Sequence, residues 1–151
     1  MCVATLYGVS GASGDNAKKD ETERLLACAL LRMASMRNVP YMLNMDLNID
    51  PKKMEVLTKC IEKGICHDIV NDIHQGDPPP TYCKTNVHLG MTGVGTSRID
   101  TIVTNPAAAN LVKSVEQLYT TAQAFDHTPF KCIFNADKFA DEYSIMDKPC
   151  R

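Results

Sequence analysis

The apolar stretch that opens VATLYGVSGASGDN, residues 3–16, breaks into glycine and serine, which predicts a short strand ending near Tyr7 and then a loop. From about Ala17 to Arg37 the period changes, with Leu25, Leu26, Ala29, Leu30, Met33 and Met36 recurring at helical spacing as its core face. Asp15 or Asn16 can cap this helix, and Asp20, Glu21 and Glu23 lie in its early turns, where the helix dipole favours acids. A strand is predicted over Val39–Asn44, then a helix from about Pro51 to Lys63, with proline near its first turn and Gly64 as its stop. A short element, a proline-rich loop at 78–80 and a glycine-rich turn lead into three strand patterns: SRIDTIVTN, LVKSVEQLY and HTPFKCIF. From Asn135 onward the chain is polar and aperiodic, which predicts a domain over 1–134 and a peripheral tail over 135–151. The element order implies mixed α and β layers around one core, with a sheet that is not purely parallel.

Side chains alternate across a strand, so the end of YMLNMDLNIDP sends Asp46 and Asn48 to one face and Leu47 to the other. That arrangement suits a pair of oxygen ligands, or a base beside a hydrogen-bond donor, and it equally suits an ordinary turn rich in Asp, Asn and Pro. By the same rule Arg98, Asp100, Ile102 and Thr104 share one face of their strand, while Ile99, Thr101 and Val103 share the other.

The 151 residues are enough for one domain with a real core, which at this size buries roughly 70% of the unfolded surface. An apolar share of 44% and a charged share of 23% are those of a soluble globular protein, and no apolar run nears the roughly 20 residues that span a bilayer. MCVATLYGV lacks a charged leader and a small-residue cleavage site, so no signal peptide is expected. The seven cysteines are scattered and nowhere form Cys-x-x-Cys, which points to reduced thiols in an intracellular compartment. Cys60, Cys66, His67, His74, Cys83 and His88 cluster in sequence without a standard zinc spacing, so a small zinc-binding module is the weaker alternative. A formal charge of −2 with dispersed basic residues gives no general pull on nucleic acid, so any phosphate contact must be local. The glycines at 90, 93 and 95 lack the Gly-Lys-Ser/Thr ending of a phosphate-binding loop.

Three acidic strand ends stand in order: MDLN at 45–48, SRID at 97–100 and FDHTP at 125–129, with PPPTY between the first two. Together they resemble the endonuclease/exonuclease/phosphatase superfamily, whose strand-end signatures run Gly-Asp-x-Asn, Arg-x-Asp and Ser-Asp-His, with a Pro-Thr-Tyr/Phe segment. The resemblance covers roughly Thr5 to Phe134; Met45 stands for the usual glycine and Phe125 for the usual serine. The family's amino-terminal Asn and Glu, which help hold its metal, have no counterpart.

The resemblance implies an α+β fold: a four-layer α/β/β/α sandwich of the deoxyribonuclease-I-like type, incomplete at the amino terminus. It implies a metal-dependent phosphoesterase, in the first place a nuclease cleaving phosphodiester bonds, using magnesium or manganese. An inositol or lipid phosphatase, or a catalytically impaired remnant, are the alternatives. By position, Asp46 would deprotonate the attacking water and help hold the metal, and Asn48 would bond a phosphoryl oxygen or the nucleophile. His127 would donate to the scissile phosphate, Asp100 would orient His127, and Asp126 would join the metal site. Tyr7 would reach the phosphate, and Ser10 and Arg98 would bind substrate. The missing ligand implies weak magnesium binding and poor turnover, and the missing strands imply an uncovered face that can pair with another chain.

Overall fold

The computed structural model describes residues 1–36, 39–82, 97–118 and 126–139. Strand β1 (Cys2–Tyr7) leads through helix α1 (Asn16–Ala34) to strand β2 (Tyr41–Asp46), which pairs parallel to β1. A 3-10 turn at Pro51–Lys53 and helix α2 (Glu55–Glu62) follow, then the short strand β3 (His67–Asp68) and helix α3 (Ile69–Ile73). Strand β4 (Asp100–Thr104), helix α4 (Pro106–Ala109), strands β5 (Val112–Gln117) and β6 (Phe130–Phe134) and helix α5 (Ala136–Phe139) complete the order. The larger sheet has four strands in the order β1-β2-β4-β3, with β4 antiparallel to both neighbours; β5 and β6 form a second, antiparallel sheet.

Helix α1 starts where the Asp15 carboxylate accepts from the amides of Ala17 and Lys18. Its buried stripe is Thr22, Leu26, Leu30 and Met33, a spacing of four, four and three that keeps one side toward the sheet. Leu25 was expected in the core and is exposed; Thr22 holds that face instead. A hydroxyl is tolerated there because it donates to the Lys18 carbonyl and accepts from the Val9 amide, both at 3.0 Å. The helix expected from Pro51 is divided: Met54 adopts an extended conformation and α2 starts at Glu55, where Met54 offers no cap. Glu23 of α1 supplies one, its carboxylate accepting from the Glu55 and Val56 amides. Gly64, at φ +66°, ends α2 as expected.

Two hydrophobic clusters lie on opposite faces of the larger sheet. Leu43, Met45, Leu47 and Val103 pack against Leu26, Leu30 and Leu57 of α1 and α2. Met42 and Ile102 pack with Ile69, Val70 and the β5–β6 residues Val115, Phe130, Cys132 and Phe134. Each fully buried aliphatic side chain contributes roughly 1.5–3 kcal/mol. Three of the expected layers, helices and two sheets, are thus built from the described residues. The second sheet covers β2 and β4, while on the same face of β1 Val3 is 52% and Tyr7 63% exposed. In the stretch expected as tail, α5 is docked by Lys138, whose Nζ donates to the Asn110 carbonyl. Residues 83–96, with the glycine-rich turn, Cys83 and His88, and residues 140–151 lie outside the described residues.

Candidate active site

Register sets the first three side chains. Tyr7 of β1 is the partner of Asp46 of β2, and Asp46 is the partner of Asp100 of β4, so the three stand in one row across the sheet. Partners in register project to the same face, here the one toward the second sheet. His127 reaches the row from the segment before β6, its Nδ1 lying 3.0 and 3.2 Å from the Asp100 oxygens. Its Nε2 faces Asp46, 3.9 Å from Oδ2. The imidazole therefore lies between two half-buried carboxylates. An ionised carboxylate only accepts, so the Nδ1–H is the hydrogen shared with Asp100.

The loops around β1 and β2 hold Asp46 from behind. Strand alternation stops at Asp46, and Asn48 occupies a left-handed turn at φ +54°. The turn and the acidic strand end therefore coexist: the Asn48 amide donates to Asp46 Oδ1 at 3.0 Å. The Asn48 side-chain amide donates to the Gly8 carbonyl at 3.1 Å, and the Gly8 amide donates to the Asp46 carbonyl at 2.6 Å. Gly8 is required there by close approach, since a Cβ would stand 2.6 Å from the Leu47 carbonyl oxygen.

The other expected residues divide. Ser10 and Tyr7 lie together on the exposed side, their hydroxyls 3.5 Å apart. Asp126 is exposed and borders the same cleft as Asp100 and His127, a cavity of about 780 Å³ also walled by Asn44, Ile102 and Phe130. Arg98 is a correction. Expected to bind substrate on the Asp100 face, it is buried, its Nη2 2.7 and 2.6 Å from the two Asp68 oxygens and bonded to the Thr101 hydroxyl. The ladder of β4 starts only at Asp100, so strand alternation does not govern residue 98.

Thr81 and Tyr82, quoted only as part of the PPPTY segment, prove central. Thr81 is fully buried and its Oγ accepts from the amides of Ile99 and Asp100 at 3.1 and 3.0 Å. Tyr82 bridges to both Ser97 and His127, with its ring edge-on to the imidazole at a centroid separation of 5.2 Å.

No protein-family model matches the chain, and no curated protein does. Solved structures do. The 3'-5' exonuclease NExo from Neisseria meningitidis superposes with a TM-score of 0.66 at 22% identity, over 87% of this chain and 60% of that one. An AP endonuclease from Archaeoglobus fulgidus gives 0.61 at 18% identity, over 89% of this chain and 62% of that one. An endonuclease/exonuclease/phosphatase family protein from Bacteroides thetaiotaomicron gives 0.58 at 18% identity, over 85% of this chain and 47% of that one. The chain has the deoxyribonuclease-I-like fold that these structures share. It spans about 60% of the length of the first solved structures it matches.

Within this deoxyribonuclease-I-like fold the electrostatics of the row are tense. Burial pushes the Asp100 carboxyl above its ordinary range, the facing Asp46 adds to the rise, and hydrogen bonds from Thr81 and His127 with the imidazole charge pull against it. Among the described residues, one group of acids and histidines could share a metal ion: Asp46, Asp100 and His127, whose ligand atoms lie within 4.8 Å of one another. Two carboxylates suit a hard divalent cation such as magnesium or manganese. Phe125 lies outside the described residues.

Proposed function

We propose that this chain carries the site of a metal-dependent phosphoesterase whose substrate class is nucleic acid. The observation that carries the reading is the imidazole of His127 set between Asp100 at 3.0 Å and Asp46 at 3.9 Å. The shorter contact is a hydrogen bond and the longer is not, so one reacting oxygen seated beside the 3.9 Å gap is within reach of both Asp46 Oδ2 and His127 Nε2. Asp46, with Oδ1 held by the Asn48 amide, turns Oδ2 toward that gap and takes the proton of an attacking water. His127 donates from Nε2 to a phosphoryl oxygen as charge grows there. Asp100 fixes the ring and stabilises its protonated form. Tyr7 and Ser10 present hydroxyls at the open end of the row.

Asp46 would hold a magnesium or manganese ion, helped by the exposed carboxylate of Asp126, and the bound ion supplies charge neutralisation for the phosphoryl oxygens. Nucleic acid is preferred as substrate because the structural neighbours include a Neisseria 3' phosphatase bound to a product DNA hairpin, the NExo exonuclease and an AP endonuclease. A mannosyl-6-phosphatase from Bacteroides thetaiotaomicron has the same fold at a TM-score of 0.51, so the fold alone does not choose.

The test offers an abasic duplex, a 3'-phosphate hairpin, a single strand and an inositol phosphate, each with magnesium or manganese. Slow metal-dependent cleavage of nucleic acid, lost in Asp46→Ala, is the expected result. Turnover confined to the inositol phosphate overturns the substrate class, and no turnover of any substrate overturns the reading for this chain.

A further inference from the structure

The Asp100–His127 pair joins two segments that share no strand ladder: Asp100 begins β4, and His127 precedes β6 in the other sheet. Something must hold the two at one separation, because a hydrogen bond weakens steeply as its length and angle drift. Thr81 bonds to both segments. Its Oγ accepts from the amides of Ile99 and Asp100, its carbonyl accepts from the Thr128 amide at 2.7 Å, and its amide donates to the Ser97 carbonyl at 3.0 Å. With both acceptor sites of the hydroxyl filled by amides, its one hydrogen is left to donate. Each of these bonds lies within one residue of Asp100 or His127 or at the Ser97 that leads into β4. The next residue, Tyr82, adds its ring against the imidazole edge.

We propose that Thr81 is a positioning residue for the Asp100–His127 pair, using its hydroxyl on one segment and its carbonyl on the other to set where the imidazole stands. The inference rests on the reading of that pair as the reacting groups, but its consequence is visible without turnover. A threonine that merely fills space is replaceable by valine, which has the same shape and lacks the hydroxyl. A positioning threonine is replaceable by serine, which keeps the hydroxyl and loses a methyl. Valine strands the Ile99 and Asp100 amides without an acceptor.

The experiment is a metal-free NMR comparison of wild type, Thr81→Val and Thr81→Ser, following the His127 ring nitrogens and the Nδ1 proton at a pH where the wild-type signal is sharp. The expected result is a displaced or lost Nδ1 proton signal in Thr81→Val, with the wild-type signal restored in Thr81→Ser. Where wild-type turnover is measurable, kcat falls on the order of tenfold to a hundredfold in the valine variant, with KM little changed. An unaltered His127 spectrum in folded Thr81→Val overturns the proposal, as does a serine variant that behaves like valine. If the valine variant does not fold, Thr81→Cys, of similar size and only weak hydrogen bonding, must show the displaced signal, and an undisplaced one overturns the proposal. A chain that hydrolyses nothing but shows the valine and serine contrast refutes the phosphoesterase reading and leaves the positioning role standing.

Discussion

Asp46 and Asp100 face each other as register partners in the antiparallel β2–β4 pair, with their side chains only 16% and 18% exposed. Like charges directly opposite each other on neighbouring strands are destabilising, so this placement costs stability and is explained by what the carboxylates do together.

The sign of that cost is testable at Asp100. Burial raises its folded-state pKa, with the Asp46 charge adding to the rise. In the window above the ordinary unfolded value of about 3.9, the native state binds more protons than the unfolded chain, so stability falls as pH rises through the folded pKa. At neutral pH Asp100→Asn is therefore expected to raise Tm by up to about 3 °C, roughly 1 kcal/mol for a chain of this size. The gain should shrink as pH falls toward 4 in scanning calorimetry. A lower Tm at neutral pH contradicts the assignment of burial as the dominant influence.

Arg98 should behave as a structural cation. Arg98→Met leaves the Asp68 carboxylate buried without its ion pair, and a loss of about 3–5 kcal/mol is expected in urea unfolding. Asp68→Leu/Arg98→Met should recover part of it, but not all, because Asp68 also accepts from the Asn71 amide at the start of α3. A cost below about 1 kcal/mol for the single variant would return Arg98 to the substrate surface.

Gly8→Ala forces a Cβ toward the Leu47 carbonyl, backbone that cannot swing aside. The expected cost is about 1–3 kcal/mol, with the amide resonances of Asp46, Leu47 and Asn48 displaced. An unperturbed spectrum would mean that the contact relaxes without cost.

Manganese gives a reading of the metal site that needs no turnover. Added at a small fraction of the protein concentration, it should broaden resonances of Asp46 and Asp126 and of the neighbouring Asp100 and His127 first, and Asp46→Asn should abolish the selectivity. Broadening spread evenly over surface acids such as Asp20, Glu55 and Asp137 contradicts a shared site.

Much of this was legible in the chain, for physical reasons. The helical spacing of Leu26, Leu30 and Met33 gave α1, and the alternation through Ile102 and Val103 gave β4 with Asp100 turned toward the row. The strand-end acids pointed to one cleft because each stands where a strand's ladder stops. Failures came where alternation was extended past the ladder. Arg98 precedes β4 and follows a buried ion pair instead, and Asn48 follows β2 and takes a left-handed turn. Thr22 replaced Leu25 on the buried face of α1 because its hydroxyl finds two partners, a satisfaction no hydropathy pattern reveals. The two-residue strand β3 and the helices α3 and α4 were too short to impose a period. The role of Thr81 depends on amides 18 and 19 residues away, which only tertiary structure brings into reach.

The most direct measurement compares wild type with His127→Gln in single-turnover hydrolysis of a 3'-phosphate DNA hairpin, at protein in large excess and with magnesium or manganese present. Glutamine keeps a hydrogen-bonding amide but cannot be protonated, so it cannot donate from a charged ring to the phosphate. Slow, metal-dependent release of phosphate is expected from wild type, with a fall on the order of a hundredfold or more in the variant. Equal rates in the two proteins, or release that persists when the metal is chelated, would contradict a phosphoesterase site built on His127 between Asp46 and Asp100.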